Sequence, residues 1–185
     1  MSGWIRFLLG LALGLVIAFV PRVLHHLQGV RGVSSSARAH TAERFSFVAN
    51  APFAEVFPLF GADRERVWSP GWNPRFVHPM PAADVPGMVF TVTHSHFEAV
   101  WINTAFDPQN GRAQYVYTIP DHLVTLITVN AAPEGNQTRV VVEYDRTALV
   151  PEADSHVLVM AQQDHNAGPE WEAQINHHLA TRQSR

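Results

Sequence analysis

The hydropathy pattern changes character twice along the chain. Phe7 to Val20 (FLLGLALGLVIAFV) is an unbroken apolar run without a charge, flanked by Arg6 and by Pro21-Arg22. From Arg44 onward, apolar and polar residues alternate instead in short stretches. The alternation in Arg44 to Asn50 predicts a strand. Phe53, Val56, Phe57 and Phe60 then recur at helical spacing and end at Gly61, which predicts a short amphipathic helix. Asn50 is the expected N-cap, with Pro52 in the first turn. A second helical piece over Asp63–Trp68 stops at Ser69-Pro70-Gly71.

Beyond Trp72 the period is two. Strands are expected over Arg75–His78, Met88–Phe97, Glu98–Phe106, Arg112–Ile119, Leu123–Asn130 and Thr138–Leu149. Asp107-Pro108-Gln109-Asn110-Gly111 is a turn, because Asn-Gly accepts positive φ. Pro133-Glu134-Gly135-Asn136 separates the last two strands. Short connections imply an antiparallel meander. Glu152–Thr181 returns to helical spacing, with apolar patches at Val157, Leu158, Met160 and Ala161, and at Trp171, Ile175, His178 and Leu179. Gly168-Pro169 should kink or break it. A curved antiparallel sheet folded around this helical region would bury both apolar faces, an α+β helix-grip arrangement with a concave interior suited to ligands. That use requires a hollow between sheet and helix.

The apolar run sets the domain plan. Residues 1–28 read as an N-terminal hydrophobic segment, 29–42 as a Gly/Ser/Arg-rich tether and 43–185 as one α+β domain. A membrane span needs about 17–20 apolar residues, and residues 4–20 reach the lower bound. An uncleaved anchor fits better than a secretory signal, since the nearest small-x-small site, Ala37-Arg38-Ala39, lies far downstream. A buried core helix fits poorly with a run that is apolar all round. Arg6 precedes the run, whereas Arg22, Arg31 and Arg38 follow it, so orientation stays open.

Composition narrows the chemistry. A net charge of −3 gives no basic footprint for nucleic acid. The absence of cysteine removes disulfides, thiolate catalysis and sulfur-ligated metals. No Gly-rich phosphate loop, Walker motif, Ser-His-Asp elbow or EF-hand loop is present, so neither a cofactor nor a metal is expected.

Val48-Ala49-Asn50-Ala51-Pro52 with Glu55-Val56-Phe57, Trp68-Ser69-Pro70-Gly71-Trp72, and Tyr144-Asp145-Arg146-Thr147-Ala148-Leu149 resemble the START-like or SRPBCC superfamily, which includes Bet v 1-type proteins and the polyketide cyclase/dehydrase-like group. The pattern covers roughly residues 43–181. The resemblance implies a helix-grip fold with a deep cavity for lipids, sterols, polyketides or other apolar molecules, and it implies no single reaction.

Candidate ligand contacts are Trp68, Trp72, Phe90, Val92, His94, His96, Tyr115, Tyr117 and Tyr144. His94-x-His96-x-Glu98 places three polar groups on one face by strand alternation, with the same parity as Phe90 and Val92. They suit a metal or acid/base pair, or more simply a polar rim, with His122, His177 and His178 as further histidines. Tyr115, Tyr117 and Tyr144 can orient a ligand or simply pack. Trp68 and Trp72 can close a cavity mouth or pin the turn between them. Glu143 and Asp145 face opposite Val140, Val142 and Tyr144 and read as solvated. The expected function is a membrane-tethered binding protein for a hydrophobic small molecule or lipid. One alternative is a non-catalytic accessory subunit of a membrane complex, for which Gly10 and Gly14 supply a small-residue packing motif. A second is a cyclase- or hydrolase-like enzyme using His94, His96, Glu98 or the tyrosines.

Overall fold

The computed structural model describes residues 37–94 and 97–183. The hydrophobic run at 4–20 and most of the expected tether lie outside them. Among the described residues no helix is long and apolar enough to cross a membrane.

Seven strands form one antiparallel sheet in the order β1-β7-β6-β5-β4-β3-β2. They are β1 His40–Ala49, β2 Arg75–His78, β3 Val89–His94, β4 Phe97–Asp107, β5 Arg112–Ile119, β6 Leu123–Glu134 and β7 Gln137–Ala148. Every expected strand is present. β1 starts at His40, inside the stretch read as tether, because its first residues already pair with Thr147 and Arg146 of β7. The meander is closed by turns whose chemistry the sequence announces. Asp107 Oδ1 accepts from the Gln109 and Asn110 amides, and Gly111 takes φ +66.

Between β1 and β2 lie α1, Phe53–Val56, and two 3-10 turns, Phe57–Phe60 and Arg64–Val67. The helix N-cap is Pro52, without a side-chain cap. Asn50, expected there, is instead held from outside: its amide donates to Asn176 Oδ1 at 2.7 Å and its own Oδ1 accepts from Gln137.

The helical C-terminal region is two helices, α2 Asp154–His165 and α3 Gly168–Gln183. The break falls at Asn166-Ala167, and Pro169 sits in the first turn of α3, where its missing N–H costs nothing. α2 packs on β1 and β7, and α3 on β1. Gly168 lies against Phe45, so a Cβ there would come within 3.4 Å of that ring.

The inward residues alternate as the period-two pattern requires. Phe45, Phe47 and Ala49 of β1, Tyr115 and Tyr117 of β5, Leu123, Thr125 and Ile127 of β6, and Val140 and Val142 of β7 are all buried. They meet Val157 and Met160 of α2 and Ile175 and Leu179 of α3 in one core. Glu143 and Asp145 are exposed, as expected.

Candidate functional site

The space gripped between sheet and helices is occupied rather than hollow. Trp101 stacks on Tyr117 with centroids 4.5 Å apart and on Phe90 at 5.7 Å. Trp171 of α3 reaches back edge-on to Phe45 at 5.4 Å and packs on Trp68 at 5.1 Å. The deep open cavity expected from the sequence is therefore not found among the described residues, because large aromatic side chains from β1, β3, β4, β5 and α3 fill the concavity. Clefts open elsewhere among the described residues. One, of about 340 Å³, runs between the 64–70 segment and α3 and is lined by Arg66, Val67, Trp68, Gln174, His177 and His178 among others. A smaller one, of about 200 Å³, lies beside α1 at Glu55, Leu59, Arg64 and Arg182.

A band of polar groups crosses this apolar interior. At one end Arg146 of β7, 1% exposed, points inward with Val140 and Val142. Its Nε donates to Thr125 Oγ1 at 3.0 Å, its Nη1 to Asp164 of α2, and its Nη2 makes a long contact of 3.4 Å with the Tyr117 hydroxyl. The guanidinium carbon lies 5.5 Å from the centre of the Tyr144 ring. Burial works against the cation, but Tyr117 and Asp164 outweigh it and raise the Arg146 pKa. Burial raises the Asp164 pKa even with the guanidinium beside it. The pair is thus a compensated charge in a dry place, held at a desolvation cost.

At the other end Tyr115 donates its hydroxyl to Phe60 O at 2.9 Å. Asp84 accepts from the Ala62 amide at 3.0 Å. Burial raises the pKa of both, and each carboxylate or phenolate form is further disfavoured by nearby acids. Between the two ends stands Glu65, in the second 3-10 turn. Its residue is half-buried, but its carboxyl is enclosed, and desolvation pushes its pKa from 4.5 to about 8. Its charge would raise the pKa of both Tyr115 and Tyr144. Glu65 is therefore largely a neutral acid at neutral pH, able to donate a hydrogen bond.

The expected site residues fall into two groups. Phe90, Val92, Tyr115 and Tyr117 are buried on the inner side, and Tyr144 is half-buried beside Phe45 and Arg146. Trp68 and Trp72 pin the turn between them: their indole N–H groups donate to Leu59 O at 2.8 Å and Ala62 O at 2.7 Å. The His94-x-His96-x-Glu98 alternation does not exist as drawn. β3 ends at His94 and β4 starts at Phe97, so Glu98 opposes Thr93 on the neighbouring strand. Glu98 is exposed and ion-paired with Arg75 at 2.6 Å. The His94 side chain and His96 lie outside the described residues. His177 and His178 line the larger cleft, whereas His122 bonds to His156 at 2.8 Å. No group of three metal-ligating side chains occurs among the described residues. Arg146, Asp164 and Glu65 were not singled out by sequence, although the parity of Arg146 with Val140 and Val142 placed it inside.

No known family profile matches the chain, and no curated protein matches it. Solved structures do. Ara h 8.0201 superposes with a TM-score of 0.55 at 14% identity, over 77% of this chain and 99% of that one. Norcoclaurine synthase from Thalictrum flavum gives 0.53 at 11%, over 80% and 96%. A protein from Thermobifida fusca gives 0.55 at 20%, over 75% and 94%. The described domain thus has the helix-grip α+β fold. More particularly, its fold is the Bet v 1-like helix-grip fold that those solved structures share.

Proposed function

We propose that this protein binds a small apolar molecule carrying a polar group, and that residues 4–20 tether it to a membrane. The observation that carries the binding reading is the polar band. Arg146-Asp164, Glu65 and three tyrosines are enclosed in an aromatic interior, where each costs free energy that a purely structural core would avoid. The size of the larger cleft, about 340 Å³, lies near the lower limit for ligand sites, so it suits a molecule of one or two rings better than a long lipid. The tether rests on the apolar run alone, and it would raise the effective concentration of membrane-dissolved ligands.

Native mass spectrometry of the full chain tests this. A co-purifying apolar molecule of a few hundred daltons is expected. An empty protein whose melting temperature is unmoved by a panel of lipids and aromatic compounds would overturn the reading. The filled interior favours one alternative in that event, an accessory subunit whose domain caps a membrane complex.

A further inference from the structure

The larger cleft has two unlike walls. The 64–70 segment contributes Val67, Trp68 and Pro70, and α3 contributes Gln174, His177, His178 and Thr181. Val67 is 47% exposed, an apolar side chain left open beside free volume. Trp68 has its indole N–H committed to Leu59 O, so it offers the cleft a ring but no donor. The opposite wall is polar, because its four residues recur at three- and four-residue spacing on one face of α3. His177 and His178 form no side-chain hydrogen bond or ion pair among the described residues, and neither does Arg182, one turn beyond His178.

The charges at this cleft favour one sign. No carboxylate among the described residues lines it. Arg66, on the apolar wall, is already matched by Asp63 at 2.9 Å. Glu170 accepts from Gln174 Nε2 without lining the cleft, and Gln174 Oε1 is enclosed. Burial, then the positive charges of Arg182 and His177, lower the His178 pKa below 6.5. In a chain of net charge −3, this is a local reversal of sign. We propose that the larger cleft takes an aromatic carboxylate, its ring against Val67, Trp68 and Pro70 and its carboxylate on His177 and His178, within the field of Arg182. This rests on the binding reading above and names the ligand's polar group. Two imidazoles supply an N–H donor for each carboxylate oxygen. An anion also favours their protonated forms, in which every ring nitrogen donates, whereas a neutral amide does not. An ammonium would meet Arg182 with like charge. The volume, about 340 Å³, suits one or two fused rings rather than a long acyl chain.

The test uses the full chain and three probes of one shape: 2-naphthoate, 2-naphthamide and 2-isopropenylnaphthalene. By calorimetry at pH 6, 2-naphthoate should bind about ten-fold or more tighter than either of the others, because charge-assisted hydrogen bonds are about twice as strong as neutral ones. The preference should grow as pH falls from 8 to 6, since anion binding and imidazole protonation favour each other. The other charged groups around the two imidazoles are Arg182 on α3 and Arg66, with its partner Asp63, on the facing segment. In His177→Gln/His178→Gln the preference and its pH dependence should vanish, while 2-naphthamide binds as before. His177 is exposed and His178 half-buried, so the melting temperature should hold. The unaltered protein offers a second readout: 2-naphthoate should shift the ring-proton NMR signals of His177 and His178 more than those of His122 and His156. Equal binding of 2-naphthoate and 2-naphthamide across this pH range overturns the carboxylate subsite and leaves the binding reading standing. A preference that survives in the double variant also overturns it, since the anion would then sit against another cation. Failure of all three probes to bind, with the histidine signals unmoved, overturns both readings.

Discussion

Replacing Arg146 by methionine isolates the energetics of the buried ion pair. Methionine keeps the length of the aliphatic stem but removes the cation, leaving Asp164 facing Thr125, Tyr117 and the Tyr144 ring. The side chains of Arg146 and Asp164 are only 2% and 14% exposed, so solvent cannot replace the lost partner. Breaking a pair of this kind costs about 3–5 kcal/mol. For a domain of this size that lowers the melting temperature by about 10–15 °C. The loss has a pH signature. The Asp164 pKa is already raised by burial, and it rises further without the guanidinium. A raised acid stabilises the fold when protonated and loses that contribution as pH increases. The deficit of Arg146→Met should therefore shrink as pH falls from 7 toward 5. Adding Asp164→Leu should restore stability to within about 1–2 kcal/mol of the parent, since a hydrophobic pair replaces a desolvated ionic one. Urea unfolding of the four proteins of this cycle, at pH 7 and pH 5, is the assay. A single-variant cost near 1 kcal/mol, or additive costs in the double variant, would show that the pair is solvated and that the interior polar band is misread.

Three further outcomes follow from the same structure. Glu65, with a pKa of 4.5 unfolded and about 8 folded, binds its proton more tightly in the native state. Wild-type stability should decline relative to Glu65→Gln as pH rises from 4.5 to 8, and the two should run parallel below that window, as measured by chemical denaturation. Burial, the neighbouring His122 and the Arg146 charge lower the His156 pKa below 6.5. Its contribution is present above pH 6.5 and lost as pH falls, so NMR should show His156 titrating below 6.5 and moving upward in His122→Ala. Gly111→Ala should cost more than about 2 kcal/mol in thermal unfolding, because φ is +66 and the new Cβ would lie 2.0 Å from Ala131 O.

The strands from Arg112 to Ala148 were largely legible, since one buried face imposes alternation and Gly111 and Gly135 punctuate it, but β6 continues to Glu134, through Pro133 that was expected in the turn, where Asn130 was the expected end. The helix break was legible from Gly168-Pro169, although it falls just before them at Asn166-Ala167. The His94 to Glu98 cluster misled, because one alternation was carried from β3 into β4, which are separate antiparallel strands with no Gly or Pro between them in sequence. Arg146 was available from parity but was masked by the rule that arginines face water. That rule fails here because Asp164, on the inner stripe of α2 with Val157 and Met160, arrives from eighteen residues away in sequence. Glu65 gave no local sign at all, since it sits in a 3-10 turn without amphipathic period. The filled interior could not be read either, because composition counts aromatic rings but not whether they meet.

The joint at Asn166-Ala167 divides what would have been one stiff lever into two shorter ones. Asp164 belongs to the first, and Trp171, His177 and His178 to the second, so the clamp on Arg146 and the wall of the larger cleft are not carried by the same continuous ladder of backbone bonds. Each segment can fray or reclose on its own account. Amide exchange should accordingly resolve them as separate opening events, with the wall of the cleft free to yield while the ionic clamp stays shut.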